Sequence, residues 1–100
     1  MIDLTRIEGF DWDDGNSRKS TDKHGVSQAE AEQVFLNEPL LLSDDVKHSM
    51  EEPRFHALGQ TDDGRLLHIS FTLRRENRRI RVISARAMHR KERERYEEET

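Results

Sequence analysis

Between Arg54 and Arg86 the chain alternates apolar and polar residues in three successive runs, and that pattern narrows the fold more than any other feature. Over Arg54–Gln60, Phe55, Ala57 and Gly59 alternate with Arg54, His56 and Leu58. Over Arg65–Leu73, Leu67, Ile69, Phe71 and Leu73 alternate with His68, Ser70 and Thr72. Strand side chains point by turns to opposite faces of a sheet, so a run oily on one side belongs in an antiparallel sheet with one face covered. Thr61-Asp62-Asp63-Gly64 supplies the turn between the first two runs, because Asp-Gly accepts the positive backbone angles of a hairpin. A second turn near Arg74-Arg75-Glu76-Asn77 leads into Arg79–Arg86, where Ile80, Val82 and Ile83 favour a strand. Strict alternation there puts Arg79, Arg81, Ile83 and Ala85 on one face and Ile80, Val82, Ser84 and Arg86 on the other. Neither face is purely apolar. The stretch is either an amphipathic strand with solvated cations or a central strand holding guanidinium groups in a cleft, facing an anion.

The flanks read as helices and short strands. Ile7–Trp12 is a short strand in which Phe10 and Trp12 alternate; Trp12 is a core anchor on one reading and a base-stacking platform on the other. Asp13 or Asp14 can cap a weak helix over residues 14–24, which ends at Gly25 because glycine takes the left-handed C-cap conformation. Ser27-Gln28-Ala29-Glu30 is a capping box, followed by Ala31, Val34 and Phe35 at helical spacing and stopped by Pro39. Leu40–Leu42 could form a strand, and residues 43–53 a polar loop. His89–Glu99 is a charged helix in which Arg90–Glu94, Arg93–Glu97 and Arg95–Glu99 are four apart. Its cations open the helix and its acids close it, against the helix dipole, so it needs docking, or its basic first turn serves elsewhere. These elements predict an α+β domain over residues 1–100. It has an antiparallel sheet of three to four strands, N-terminal helices packed on one face, and a C-terminal helix.

Composition sets limits on function. Leu, Ile, Val and Phe number 22 in 100 residues and 38% are charged, so the core is small and a partner can add stability by mass action. There is no cysteine, which removes disulfides and thiolate metal sites and fits a reducing compartment. The start, Met1-Ile2-Asp3-Leu4, lacks the charge and apolar run of a signal peptide, and no stretch approaches a membrane span, so a cytoplasmic location is expected. The net charge of −4 argues against a polyanion partner, yet it hides a split. Residues 65–100 hold 11 Lys+Arg against 6 acids, while residues 1–64 hold 6 against 15. A molecule polarised this way can present one basic surface to nucleic acid.

Phosphate loops, nucleophile elbows and metalloprotease spacings are missing, and His24, His48, His56, His68 and His89 are scattered along the chain. What remains is a cationic set of Lys23, His24, Arg65, Arg81 and Arg86, with Arg54 as a further member. Arginine on a rigid strand holds phosphate through paired hydrogen bonds, and His or Lys can move protons near neutrality when tuned. Cutting RNA needs only those parts.

The linear order is more specific. Trp12-Asp13, Lys23-His24-Gly25-Val26, Glu30-Ala31, Val34-Phe35 and Pro39 are followed by Glu52, Arg54, Leu58-Gly59, Thr61 and Gly64-Arg65-Leu66-Leu67. Arg81-Val82-Ile83-Ser84-Ala85-Arg86, Lys91-Glu92-Arg93 and Tyr96 complete a pattern that resembles the BrnT toxin family over about residues 10–97. The resemblance implies a RelE-like ribonuclease toxin of a type II toxin–antitoxin pair that uses no metal or other cofactor. It also implies a BrnA-like antitoxin with a ribbon-helix-helix DNA-binding domain, joined with the toxin in a higher-order complex. Carried over by position, it makes Arg65, Arg81 and Arg86 phosphate-binding groups, and gives proton handling to Lys23 or His24. For His24 the alternative is a helix C-cap, and for Arg86 a structural pair with a carboxylate such as Asp13 or Glu30. The chain departs from the family pattern at Asn16, Ser20 and His89. Three functions follow: a toxin that cleaves messenger RNA, a non-catalytic module acting in an antitoxin and repressor complex, and simple RNA binding. Only the first kills cells when expressed alone.

Overall fold

The structure is a computed structural model and describes residues 2–100. In chain order it contains β1 (Gly9–Phe10), α1 (Asp14–His24), α2 (Gln28–Leu36), β2 (Leu41–Asp44), β3 (Phe55–Gln60), β4 (Leu66–Arg74), β5 (Arg79–Ala87) and α3 (Arg90–Glu99). Short 3-10 turns occupy Leu4–Arg6 and Val46–His48. Among the described residues no helix is long and apolar enough to cross a membrane.

The sheet corrects the expected one. It has five strands in the order β1-β5-β4-β3-β2, and it is mixed rather than wholly antiparallel, because β1 runs parallel to β5. The parallel pair is only Gly9–Arg79 and Phe10–Ile80. Two residues give almost no periodic signal, so their pairing direction was not legible. The β2–β3, β3–β4 and β4–β5 ladders are antiparallel, as the hairpin turn at Asp63-Gly64 requires.

One face of the sheet carries the main core. Ala57, Leu67, Ile69, Phe71, Ile80, Val82 and Ala85 pack with Val26 before α2 and with Ala31 and Val34 of α2. Phe35 meets Phe71 edge-on at 5.0 Å between ring centres, and Trp12 packs at the margin with its indole N–H donated to Glu32 at 2.8 Å. Of the two readings of Trp12, this is the core anchor. Gly59 lets α2 sit close: a Cβ there would lie 2.9 Å from Cγ1 of Val34.

Helix α1 has a different job. Beyond Ile80 no strand among the described residues covers the outer edge of β5, whose free backbone groups would otherwise need water or another chain. The only buried residues of α1 are Asn16 and Ser20, and both bond that edge. The Asn16 side chain donates to the carbonyl of Val82 at 3.0 Å, and Ser20 Oγ accepts from the amide of Ala85 at 2.8 Å. The helix is capped by Asp13 and ends at Gly25 with φ of 64°. Its weak propensity is offset by those edge bonds.

Strand β5 breaks the alternation expected of it. Val82 pairs with Phe71 and Ser84 with Ser70, so Ile83 is an extra residue, a β-bulge. Ile80, Val82 and Ala85 point into the core, and Ser84 and Arg86 turn to the opposite face. One inserted residue has flipped everything after it. On that opposite face Tyr96 of α3 packs with Leu58, Met88, Leu41 and Leu66, and its hydroxyl donates to the carbonyl of Pro39 at 2.6 Å. Docking, rather than dipole chemistry, holds α3.

Candidate active site

The register of the sheet builds a polar surface on the α3 side. His56, Ser70 and Ser84 lie opposite one another across β3, β4 and β5, and His68 pairs with Arg86 one row along. Beside them the chain from Asp45 to Arg54 closes on itself: the Asp45 amide donates to the Arg54 carbonyl at 2.8 Å, and Ser49 Oγ donates to the Asp45 carbonyl at 2.6 Å. The result is a cleft of about 380 Å³. Lys19, Arg54 and Arg86 bring positive charge to it, Asp45 and Glu92 negative charge, and His48, His56 and His68 imidazoles.

Two carboxylates organise the cleft. Asp45 is buried, 8% exposed, with Oδ2 at 3.0 Å from His48 Nδ1 and 3.0 Å from His56 Nε2. Burial alone would raise its pKa, but the His48 hydrogen bonds and the charges of His56 and His48 outweigh burial and hold it below the ordinary carboxylate value. Glu92 clamps Arg86 through two bonds of 2.7 and 2.9 Å and accepts the His89 amide at 2.7 Å. Burial opposes ionisation here as well, yet Arg86, the His89 amide and His68 bring the Glu92 pKa down to about 2.

His68 lies between these groups. Its ring is 4.7 Å from that of His56 and its Nε2 is 3.7 Å from Glu92, while its buried Nδ1 has no hydrogen-bond partner among the described residues. Burial, with Arg86 and His56 adding to it against the pull of Glu92, lowers its pKa to about 4. At neutral pH the imidazole is therefore uncharged, and the approach to Glu92 is a contact rather than an ion pair. Among the described residues no group of three or more His, Asp or Glu has the geometry to hold a metal ion.

The residues singled out from the sequence do not gather in one place. Arg86 lines the cleft; Lys23, His24, Arg65 and Arg81 do not. Arg65 reaches across the β3–β4 turn to the end of α1, donating to the carbonyls of Gly25 at 2.9 Å and His24 at 3.3 Å and pairing with Glu30 at 3.1 Å. Glu30 is kept below its ordinary pKa chiefly by the Ser27 amide, with Arg65 assisting. Arg81 pairs with Asp13 at 2.9 Å, at the start of α1. Asp13 is likewise lowered, first by the Asn16 amide and then by Arg81. The expected carboxylate partners, Asp13 and Glu30, are thus real but belong to Arg81 and Arg65, while Arg86 takes Glu92. Lys23 and His24 are exposed in the last turn of α1, and Lys23 lies one turn beyond Lys19 on the same helical face.

Sequence spacing separated the histidines that the fold brings together. His56 and His68 were within reach, since a hairpin centred on Asp63-Gly64 places both strands' polar faces together. Asp45, His48 and Glu92 carried no such signal, because they sit outside the periodic runs.

Compared with curated proteins, the sequence finds no match. Residues 12–92 match the family model of BrnT, the ribonuclease toxin of a type II toxin–antitoxin system. That span covers the elements from the start of α1 to the first turn of α3, with the whole cleft inside it, and the chain belongs to the BrnT family of ribonuclease toxins.

Proposed function

We propose that this chain is an endoribonuclease that cuts RNA in the cleft on the α3 side of the sheet, without a metal ion. RNA carries its own nucleophile. A base takes the 2′-hydroxyl proton, the oxygen attacks the adjacent phosphorus, and an acid protonates the departing 5′ oxygen, leaving a 2′,3′-cyclic phosphate and a 5′-hydroxyl. Cations must hold the phosphate as charge builds on it. The observation that carries this reading is the convergence of Lys19, Arg54 and Arg86 with three imidazoles on one cleft. Of the five N–H donors of Arg86, Glu92 takes two and the Ala87 carbonyl one, which leaves two for a phosphate oxygen.

Roles for the other candidates follow from their contacts. Lys23 extends a line of positive charge from Lys19 out of the cleft, with His24 beside it, and serves the flanking backbone of the RNA. Arg65 and Arg81 fix the two ends of α1 and so support Asn16, Ser20 and the edge of β5. In the cell the enzyme would act in the cytoplasm on messenger RNA, slow translation, and be neutralised by a BrnA-like antitoxin with a ribbon-helix-helix domain. The type II family supports a protein antitoxin.

The test is incubation of the purified chain with end-labelled RNA in EDTA. We expect cleavage with cyclic phosphate ends, and a loss of about 10²–10³-fold on Arg86→Ala at unchanged fold. No cleavage by wild-type protein at high enzyme concentration would overturn the reading and leave a binding module.

A further inference from the structure

Within the cleft one arrangement goes further than electrostatics. Asp45 is a buried acceptor shared by two imidazoles that come from different parts of the chain, His48 from the 3-10 turn and His56 from β3. An ionised carboxylate can only accept hydrogen bonds, so each contacting ring nitrogen must carry the proton. That fixes both tautomers. His48 presents a free Nε2 and His56 a free Nδ1, each with a lone pair. Asp45 itself is held by three further contacts, accepting from the His48 amide at 3.3 Å, donating its own amide to the Arg54 carbonyl at 2.8 Å and accepting Ser49 Oγ at its carbonyl at 2.6 Å, while Ser49 Oγ in turn accepts from the Arg54 amide at 3.0 Å.

We propose that His48 and His56 are the base and acid of the RNA cleavage, and that Asp45 is the positioning residue that orients both. This rests on the ribonuclease function proposed above. One imidazole starts neutral and the other protonated. The neutral ring accepts the 2′-hydroxyl proton as the O2′–P bond forms, and the imidazolium gives its proton to the 5′ oxygen as the P–O5′ bond breaks. One proton enters the pair and one leaves, so no outside reactant is consumed. The shared carboxylate stabilises whichever ring is charged at each stage, and the positive charge can therefore pass from one histidine to the other at little cost. The cations already assigned to the phosphate, Lys19, Arg54 and Arg86, lie around the same space. The remaining titratable neighbours facing the pair are His68 and Glu92 within the cleft and Lys47, Glu51 and Glu52 around the other side of His48. His68 cannot take the role, because its side chain is only 9% exposed and its Nδ1, which has no hydrogen-bond partner among the described residues, is buried.

The experiment measures kcat and KM for a fluorescent RNA oligonucleotide in EDTA across pH 5 to 9. It compares wild type with His48→Ala, His56→Gln and Asp45→Asn, each checked for an unchanged melting curve. A base and acid pair predicts a bell-shaped profile for wild type and a fall in kcat of about 10²–10⁴-fold for each histidine variant, with KM little changed. Added imidazole should restore part of the His48→Ala rate. Asp45→Asn should lower kcat and displace both limbs of the profile, which a loss of stability alone would not do. His48 is on an exposed turn, with its side chain 58% exposed, so its variant remains informative if substitutions at the more buried positions disturb folding. A wild-type enzyme that cuts RNA while His48→Ala stays within about threefold of it overturns the assignment and leaves the ribonuclease reading standing. A wild type that does not cut removes both.

Discussion

His68 is a histidine placed where charge is costly. Its folded-state pKa of about 4 lies below the ordinary histidine value of 6.5. Between those pH values the unfolded chain binds a proton that the folded chain refuses, so stability is full above the window and is lost as pH falls through it. The loss is about 3 kcal/mol at most, and it merges at lower pH with protonation of Glu92, whose pKa of about 2 lies below its ordinary 4.5. Urea unfolding at pH 7 and at pH 4.5 should show the drop, and His68→Leu should flatten it. An equal slope in both proteins would mean that His68 is protonated in the fold. Gly59 is constrained in another way, by space. Gly59→Ala must push Val34 from its 2.9 Å approach and should cost about 1–3 kcal/mol in the same measurement.

At the scale of elements, α1 is a helix that its own sequence supports poorly and its edge bonds support well. Asn16→Ala would remove a bond to the Val82 carbonyl and the one its side chain makes with the Asp13 amide, and should cost about 1–3 kcal/mol in urea unfolding. The sequence marked this helix through Asp13 and Gly25, and α2 through its capping box, because caps are local chemistry. It marked β3 and β4 because apolar residues at every second position, sustained over six to nine residues, have the period of a strand and not of a helix. It marked a strand over Ile7–Trp12, which contains β1, but two paired residues carried no sign of its parallel pairing with β5, and it missed the bulge, where an apolar Ile83 inside a run of strand formers looks like any other position. The failure mattered for the site. With unbroken alternation Arg86 shares a face with Ile80 and Val82; the bulge at Ile83 moves it to the face where the cleft forms. Deleting Ile83 should therefore drive Ser84 and Arg86 toward the core and abolish folding, read as loss of a cooperative thermal transition, whereas Ile83→Val should fold and melt close to wild type.

The whole molecule separates two arginine roles that a linear pattern merges. Arg65 ties the end of α1 to the sheet through the His24 and Gly25 carbonyls and pairs with Glu30 of α2, Arg81 ties the start of α1 through Asp13, and Arg86 belongs to a cleft with a neutral His68 and two histidines on a shared carboxylate. The acidic first two thirds of the chain and the basic last third meet at this surface, so binding of RNA should weaken with salt, and Lys19→Ala with Lys23→Ala should reduce that salt dependence. Where RNA sits is the central claim. It can be read directly by titrating isotope-labelled protein with an RNA analogue whose 2′-hydroxyls are replaced by hydrogen, which binds but cannot be cut, and following the backbone amides by NMR. The account predicts shifts concentrated at His56, Ser70, Ser84 and Arg86, with Lys19 and Lys23 following and Arg65 unmoved. Shifts centred on Arg65 and Glu30, with the cleft silent, would contradict it.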